Sequence, residues 1–130
     1  MKITRESDYA VRIVSYLAKQ EKIIGAKQIA EDTDITQRFA LKILRKLCMA
    51  DILQSFKGNL GGYKLKRLPE NINMKEVIEA IEGEIAINDC LENNYECSGS
   101  NACNCVMRQA FATANAALVK ELSSKTFDKL

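Results

Sequence analysis

The segment from Ala26 to Arg67 joins two short amphipathic helices to a glycine-rich hairpin, an order that few folds accommodate. The sequence AKQIAEDT predicts a helix with Ile29 and Ala30 facing inward, preceded by a break at Gly25. Thr36 is the predicted N-cap of the next helix, whose apolar residues recur at three- and four-residue intervals. That apolar stripe consists of Ala40, Ile43, Leu44 and Leu47. Two helices joined by a short turn predict a helix-turn-helix.

A basic hairpin is predicted directly after these two helices. The sequence ILQSF predicts a strand, KGNLGG a turn, and YKLKR a second strand in which apolar and basic residues alternate. Glycines at the tip let the backbone approach another surface closely. The predicted basic lining of this wing is Lys57, Lys64, Lys66 and Arg67. The sequence therefore predicts a mainly α fold with a small β-hairpin wing (α+β), built on a winged helix-turn-helix DNA-binding domain.

Charge is divided unevenly along the chain. Residues 1–67 contain fourteen Lys and Arg against seven Asp and Glu, a balance of +7. Residues 68–130 contain five against ten, a balance of −5. A basic half predicts a polyanionic partner such as DNA, because neutralised phosphates release their condensed counterions.

The polar side of the helix that follows Thr36 is the predicted DNA-reading surface, because the N-terminal residues of such a helix can approach base edges in a major groove. A solvated helix face is the alternative interpretation of the same charges. The candidate residues on this helix are Thr36, Gln37, Arg38 and Lys42, and those on the wing are Lys57, Asn59 and Lys64.

Three further helices are predicted. The first has an apolar stripe of Ala10, Ile13, Val14, Leu17 and Ala18. In the sequence NINMKEVIEAIEG, Asn73 and Glu76 form a capping-box pattern and Gly83 ends the helix. The predicted buried face of that helix is Val77, Ile78 and Ile81.

A last, long helix is predicted from about Val106 to Ser123. We expect it to form a homodimer interface, because DNA readers of this kind bind two half-sites about one helical turn apart. The predicted divisions are a winged helix-turn-helix domain at residues 1–68, a connecting helix and cysteine loop at 69–105, and a dimerisation helix and tail at 106–130.

Four of the five cysteines lie between Cys90 and Cys105, in a chain without histidine. We expect a cytoplasmic protein, since no apolar run resembles a signal peptide or approaches the roughly 18 residues of a membrane span. In a reducing compartment clustered cysteines bind metal or act in redox chemistry more often than they form disulfides. The spacing lacks the two tight cysteine pairs of common zinc sites, although zinc stays open. Loop thiolates at Cys90, Cys97 and Cys103 favour an iron–sulfur cluster, whereas Cys48 is expected to be a small core residue.

Together these features resemble the IscR- and NsrR-type bacterial regulators, also called the Rrf-two family, over nearly the whole chain. The resemblance is carried by MKITRESDYAVR, KILRKL, GGYKL, VIEAIEG, the spaced cysteines and the ending TFDKL. It implies a homodimeric winged-helix transcription factor, not an enzyme, that binds a palindromic double-stranded DNA operator. It also implies one iron–sulfur cluster in each subunit.

The resemblance further implies a ligand set. Its three thiolates are Cys90, Cys97 and Cys103, with a four-iron (4Fe–4S) cluster favoured and a two-iron (2Fe–2S) cluster left open. Some family members use a histidine soon after the third cysteine, but this chain has Val106 in that neighbourhood. NsrR-type members use an aspartate in the N-terminal DYA segment, which implies Asp8 of the partner subunit as the fourth ligand. Cys105 is the alternative fourth ligand, and water or no fourth ligand also stays open.

The predicted function is transcriptional repression controlled by a cluster that senses redox state, nitric oxide, or the supply of iron or clusters. Three alternatives stay open. In the first, the repressor is cluster-free and Cys103 and Cys105 sense oxidants directly. The second is an iron–sulfur redox protein, disfavoured because the chain has no histidine to act as a general base. The third is a thiol-independent regulator of cysteine or iron metabolism that binds a partner enzyme.

Overall fold

The computed structural model describes residues 2–99 and 104–130. Across these residues the chain forms five α-helices and one antiparallel hairpin, which confirms the predicted fold class. The elements are α1 (Arg5–Ala18), α2 (Ala26–Thr33), α3 (Gln37–Met49), β1 (Leu53–Phe56), β2 (Gly62–Leu65), α4 (Met74–Glu82) and α5 (Val106–Ser123). Single 3-10 turns lie at Pro69–Asn71 and Asp89–Leu91.

Side-chain caps fix where the helices begin. The Thr36 hydroxyl accepts the N–H of Phe39 at 3.4 Å, so the predicted cap of α3 is confirmed. The capping box of α4 is also present, with Asn73 Oδ1 accepting the Glu76 N–H at 3.0 Å and Glu76 Oε2 accepting the Asn73 N–H at 3.2 Å. Gly83 follows α4 at a φ of 85°, a conformation that favours glycine.

The hydrophobic core lies between α1, α2, α3, β1 and α4. The predicted stripe of α3 is fully buried, and in α1 only Ala18 is half-buried rather than buried. In α4, Val77 and Ile78 are buried and Ile81 is half-buried. The core includes Ile72 and Val77, so it continues past residue 68, and the predicted domain boundary there stays a prediction.

The wing is also attached to the α1–α2 connection, a contact that its sequence pattern did not indicate. Ile24, in the α1–α2 connection, exchanges two backbone hydrogen bonds with Tyr63 of β2, at 3.0 and 2.8 Å. A Cβ atom at Gly62 would collide with the backbone carbonyl of Ile24, so this close approach requires glycine. The hairpin is therefore fastened to the α1–α2 connection close to its turn.

The C-terminal tail returns to the core. Thr126 pairs with Asn73 in an isolated β-bridge, and the Phe127 N–H donates to the carbonyl of Ile72 at 3.1 Å. The Phe127 side chain is 2% exposed within the core. The tail is thus attached to the Ile72–Asn73 segment that leads into α4.

Helix α5 spans the predicted residues, but it contains no buried residue. Its middle is attached by Asn115, whose side chain accepts the Ile87 N–H and donates to the Ile85 carbonyl, both at 3.0 Å. Its N-terminal part is open, with Val106 75% and Met107 71% exposed. Within the described part of the chain, none of the helices is long and apolar enough to cross a membrane.

Candidate functional site

The exposed side of α3 forms a shallow basic groove. Because its apolar stripe faces the core, the remaining positions face outward together. Thr36, Gln37, Arg38 and Lys42 are all exposed, so the structure brings these predicted DNA-reading residues onto one surface. The groove is lined by Gln37, Arg38, Leu41, Lys42, Arg45, Lys46 and Met49. Thr36 stands at its N-terminal end as the helix cap.

Lys42 already forms an ion pair within the subunit. Its ammonium group lies 2.6 Å from Glu6 Oε1, and the ammonium group of Lys46 lies 3.0 Å from Glu6 Oε2. The hydrogen bonds from Lys42 and then Lys46 hold the pKa of the Glu6 carboxyl below its usual range. Sequence reasoning missed Glu6, because its partners lie 36 and 40 residues further along the chain and no local pattern connects them.

The wing presents its predicted contacts to solvent. Lys57, Asn59 and Lys64 are all exposed, and Leu60 at the tip is 93% exposed. The other two basic residues predicted to line the wing are engaged elsewhere. Lys66 forms an ion pair with Asp51 at 2.7 Å, and Arg67 forms one with Glu76 at 2.9 Å.

Three of the four clustered cysteines line one cavity of about 250 Å³. They are Cys90, Cys97 and Cys105. The remaining walls are formed by Asn88, Tyr95, Met107, Arg108 and Phe111. Cys103, the third predicted ligand, lies outside the described residues.

Each of these three sulfur atoms accepts an N–H group. Asn88 donates to Cys90 Sγ at 3.1 Å, Gly99 to Cys97 Sγ at 3.3 Å, and the Arg108 backbone to Cys105 Sγ at 3.5 Å. The Arg108 guanidinium also donates to the Cys90 carbonyl at 3.1 Å and so joins α5 to the turn at Asp89–Leu91. Such donors stabilise negative charge on thiolates and on metal-bound sulfur.

The donor chemistry of the cavity fits an iron–sulfur cluster, since it combines several thiols, N–H donors and an apolar wall. Among the residues that the structure describes, no three His, Cys, Asp or Glu side chains converge closely enough to hold a single metal ion. The cavity therefore holds the thiols near one another without forming a closed single-ion site.

Asp8 and Cys48 lie away from this cavity in the subunit. Asp8 is exposed on α1 and pairs with Arg12 at 2.9 Å, and Arg12 also donates to the Thr33 carbonyl at 3.2 Å. The predicted role of Asp8 requires the partner subunit and stays a prediction. Cys48 is half-buried on α3, and burial raises the pKa of its thiol.

The helix order, the wing and the exposed basic groove define a winged helix-turn-helix regulator. A comparison with protein families matches residues 3–130 to Rrf2, described as an iron-dependent transcriptional regulator, and the chain belongs to this family. Its relatives are transcription regulators, so the predicted family and the prediction of a non-enzymatic protein are confirmed.

One relative and two solved structures are similar to this chain. The NsrR regulator of Shouchella clausii (strain KSM-K16) is 30% identical over 117 residues, covering 86% of this chain and 78% of that protein. The structure of CymR, the global cysteine regulator of B. subtilis, superposes with a TM-score of 0.78 at 24% identity, covering 98% and 94% of the two chains. T. potens IscR superposes with a TM-score of 0.75 at 22% identity, covering 98% and 84%. The two structural matches establish the fold alone.

Proposed function

We propose that this protein is a homodimeric transcription regulator, acting as a cytoplasmic repressor, whose operator binding is controlled by an iron–sulfur cluster. The observation that carries the proposal is the cavity in which Cys90, Cys97 and Cys105 each accept an N–H hydrogen bond. The iron-dependent description of the family and the likeness to NsrR support it.

Cys90, Cys97 and Cys103 would hold a four-iron cluster, or else a two-iron cluster, and Asp8 of the partner subunit would complete the ligand set. Cys105 is the alternative fourth ligand, and its position in the same cavity as Cys90 supports that alternative. A bound cluster supplies iron that accepts or loses electrons and reacts with oxidants or nitric oxide. The chain's own contribution is to place Tyr95, Met107 and Phe111 around the thiols and to donate N–H groups to them.

On the DNA side, Gln37 and Arg38 would contact base edges in the major groove, while Lys57, Asn59 and Lys64 would contact the adjoining groove and phosphates. A palindromic duplex operator requires two copies of α3 related by a two-fold axis. The open N-terminal part of α5 supports a dimer interface there, because it exposes Val106, Met107 and Phe111.

Control requires that the cysteine segment interact differently with the DNA-competent and incompetent arrangements. Helix α1 packs on α3, and Asp8 lies in the first turn of α1. A ligand contact at Asp8 would therefore connect the cysteine segment of one subunit to the recognition helix of the other.

The test is anaerobic purification of the wild type, Cys90→Ser and Cys48→Ser, followed by iron, sulfide and zinc analysis. We expect about four irons per chain in the wild type and in Cys48→Ser, whose cysteine is remote from the cavity, and almost none in Cys90→Ser. Operator affinity, measured by fluorescence anisotropy, should differ between iron-loaded and iron-free wild type by about 5- to 150-fold.

Two further variants assign the fourth ligand. Loss of iron or a changed spectrum in Asp8→Ala, with Cys105→Ser unaffected, would support the carboxylate, and the reverse result would support Cys105. Zinc, or an absence of metal in protein never exposed to air, would contradict the cluster. Operator binding that then responded to oxidant would identify the thiol-switch repressor instead.

A further inference from the structure

Glu6 belongs to α1, but its carboxylate lies against the DNA-reading surface of α3. One carboxylate oxygen contacts the Lys42 ammonium at 2.6 Å and the other contacts the Lys46 ammonium at 3.0 Å. These two lysines are four residues apart and stand one above the other on the helix, so a single carboxylate reaches both. The Glu6 side chain is only 27% exposed.

The pairing divides the basic groove into two parts. On the flank next to α1, the charges of Lys42 and Lys46 are partly offset by Glu6. Arg38 and Arg45 on the same surface form no ion pair with any residue that the structure describes. A duplex that approaches α3 therefore meets two unpaired arginines and two lysines that already have an anionic partner.

The turn that carries Glu6 is held in place from its other side. Glu82, the last residue of α4, accepts the Thr4 N–H at 3.0 Å, the Thr4 hydroxyl at 2.7 Å and the Ser7 hydroxyl at 2.5 Å. Ser7 is completely buried. These contacts fix the first turn of α1, so the Glu6 carboxylate stands at a defined position beside α3.

We propose that Glu6 is an intramolecular competitor of DNA phosphates for Lys42 and Lys46, which lowers the affinity of the regulator for every duplex. The inference rests on the proposed DNA-binding function. Carboxylate and phosphate oxygens both accept charge-assisted hydrogen bonds from an ammonium group, so phosphate can replace Glu6. The exchange is accessible, since the Lys42 side chain is 54% exposed and an ion pair that reaches solvent adds little to the stability of the fold. When the two lysines contact DNA phosphates instead, the negative charge of Glu6 remains close to the DNA backbone and repels it.

The test compares the wild type with Glu6→Gln, which removes the charge, keeps the size of the side chain and replaces one acceptor oxygen with an amide N–H donor. Binding to an operator duplex and to a duplex of unrelated sequence is titrated at several salt concentrations, using iron-free full-length protein. We expect Glu6→Gln to bind both duplexes about 5- to 30-fold more tightly at ~0.1 M salt. The slope of log affinity against log salt should steepen by less than about 1, because the wild-type lysines also reach phosphate in the complex and the variant differs only by the missing Glu6 charge.

Glu121→Gln is the matched control. It also removes one negative charge and one ion pair, the contact of Glu121 with Lys125 at 3.0 Å, but on α5. We expect it to change affinity less than about twofold, since this exposed pair is not part of the groove on α3. A double-mutant cycle adds a direct readout: Lys42→Gln should weaken DNA binding several-fold more in the Glu6→Gln background than in the wild type.

Two results would overturn the competitor role. Weaker DNA binding by Glu6→Gln would mean that Glu6 positions the lysines for contact, and a change no larger than that of Glu121→Gln would mean that the pair has no effect. Failure of cluster control would be distinct, because it would appear as equal operator affinity of iron-loaded and iron-free wild type. A wild type that bound no duplex at low salt in either its iron-loaded or its iron-free form would overturn both proposals.

Discussion

The two parts of this chain that flank Gly83 are stabilised in different ways. Before Gly83, helices α1 to α4 and the wing surround one continuous apolar core. From Gly83 to Thr126, none of the described residues is buried. That second part is held by half-buried side chains and by scattered polar contacts such as those of Asn115 and Arg108.

The part before Gly83 is stabilised by its own buried core, whereas the part after it depends more on a bound group or a partner subunit. Apolar burial dominates folding free energy, whereas isolated surface hydrogen bonds contribute about 1 kcal/mol each. The proposed DNA-reading surface on α3 therefore lies on a well-packed core. The cysteine segment and the start of α5 depend on whatever covers them, and this dependence suits a sensor whose bound group or partner subunit completes it.

The largest effect is expected at the tail, which belongs by packing to the first part although it follows α5 in sequence. Phe127→Ala removes a side chain that is 2% exposed in the core, and should lower the free energy of unfolding by about 3–5 kcal/mol. Urea denaturation of iron-free protein measures this loss. A loss below about 1 kcal/mol would place the tail with the weakly packed second part.

An intermediate effect is expected at Glu82, the last residue of α4 before the boundary. Burial alone raises the pKa of its carboxyl, but the hydrogen bonds from Ser7 and Thr4 outweigh burial and hold the pKa below the ordinary value of 4.5. Glu82→Ala leaves the buried Ser7 hydroxyl without its acceptor, so unfolding free energy at pH 7 should fall by about 1–3 kcal/mol.

The pH dependence of stability gives the same pair a second readout. Because the folded pKa is depressed, the stabilisation by Glu82 is present above pH 4.5 and is lost as pH falls through the folded value. The difference in unfolding free energy between the wild type and Glu82→Ala should shrink as pH is lowered below 4.5. A difference that stayed constant with pH would contradict the role of the ionised carboxylate.

The smallest effect on the fold is expected in α5. Ala114 is exposed, so Ala114→Glu should change the unfolding free energy of the monomer by less than about 0.5 kcal/mol. The same substitution should weaken dimerisation, as measured by sedimentation velocity over a range of concentrations, if this helix forms the interface. If the monomer were markedly destabilised and the dimerisation affinity stayed unchanged, α5 would be part of the stable core, and the two parts of the chain would not differ as described.

Local patterns in the sequence predicted local structure well. Thr36, Asn73 and Gly83 are caps that depend only on nearby backbone, and each was predicted correctly. The contacts that were missed join distant segments: Glu6 with α3, Glu82 with the start of α1, and Ile24 with β2. Periodicity shows which face of a helix is apolar, but the polar partner of a surface carboxylate depends on how the helices pack.

The candidate site divides in the same manner. The exposed side of α3 follows from its apolar stripe, so Gln37 and Arg38 could be placed on it from the sequence. The cysteine spacing indicated a shared site but not its walls, because Tyr95 and Phe111 come together only when α5 packs beside the loop. The basic character of Lys42 could be predicted from the sequence, whereas its ion pair with Glu6 could not.

The bridge between Ile24 and Tyr63 has a consequence for the entropy of binding. Because the wing is tied to the α1–α2 connection, the hairpin and α3 approach a duplex with their separation already set. Ordering on contact is then confined to the long side chains at the surface, at about 0.5–1.5 kcal/mol for each one immobilised. The backbone of α3 and of the wing contributes little to that entropic penalty. A larger share of the free energy of the phosphate and base contacts is therefore retained as binding affinity.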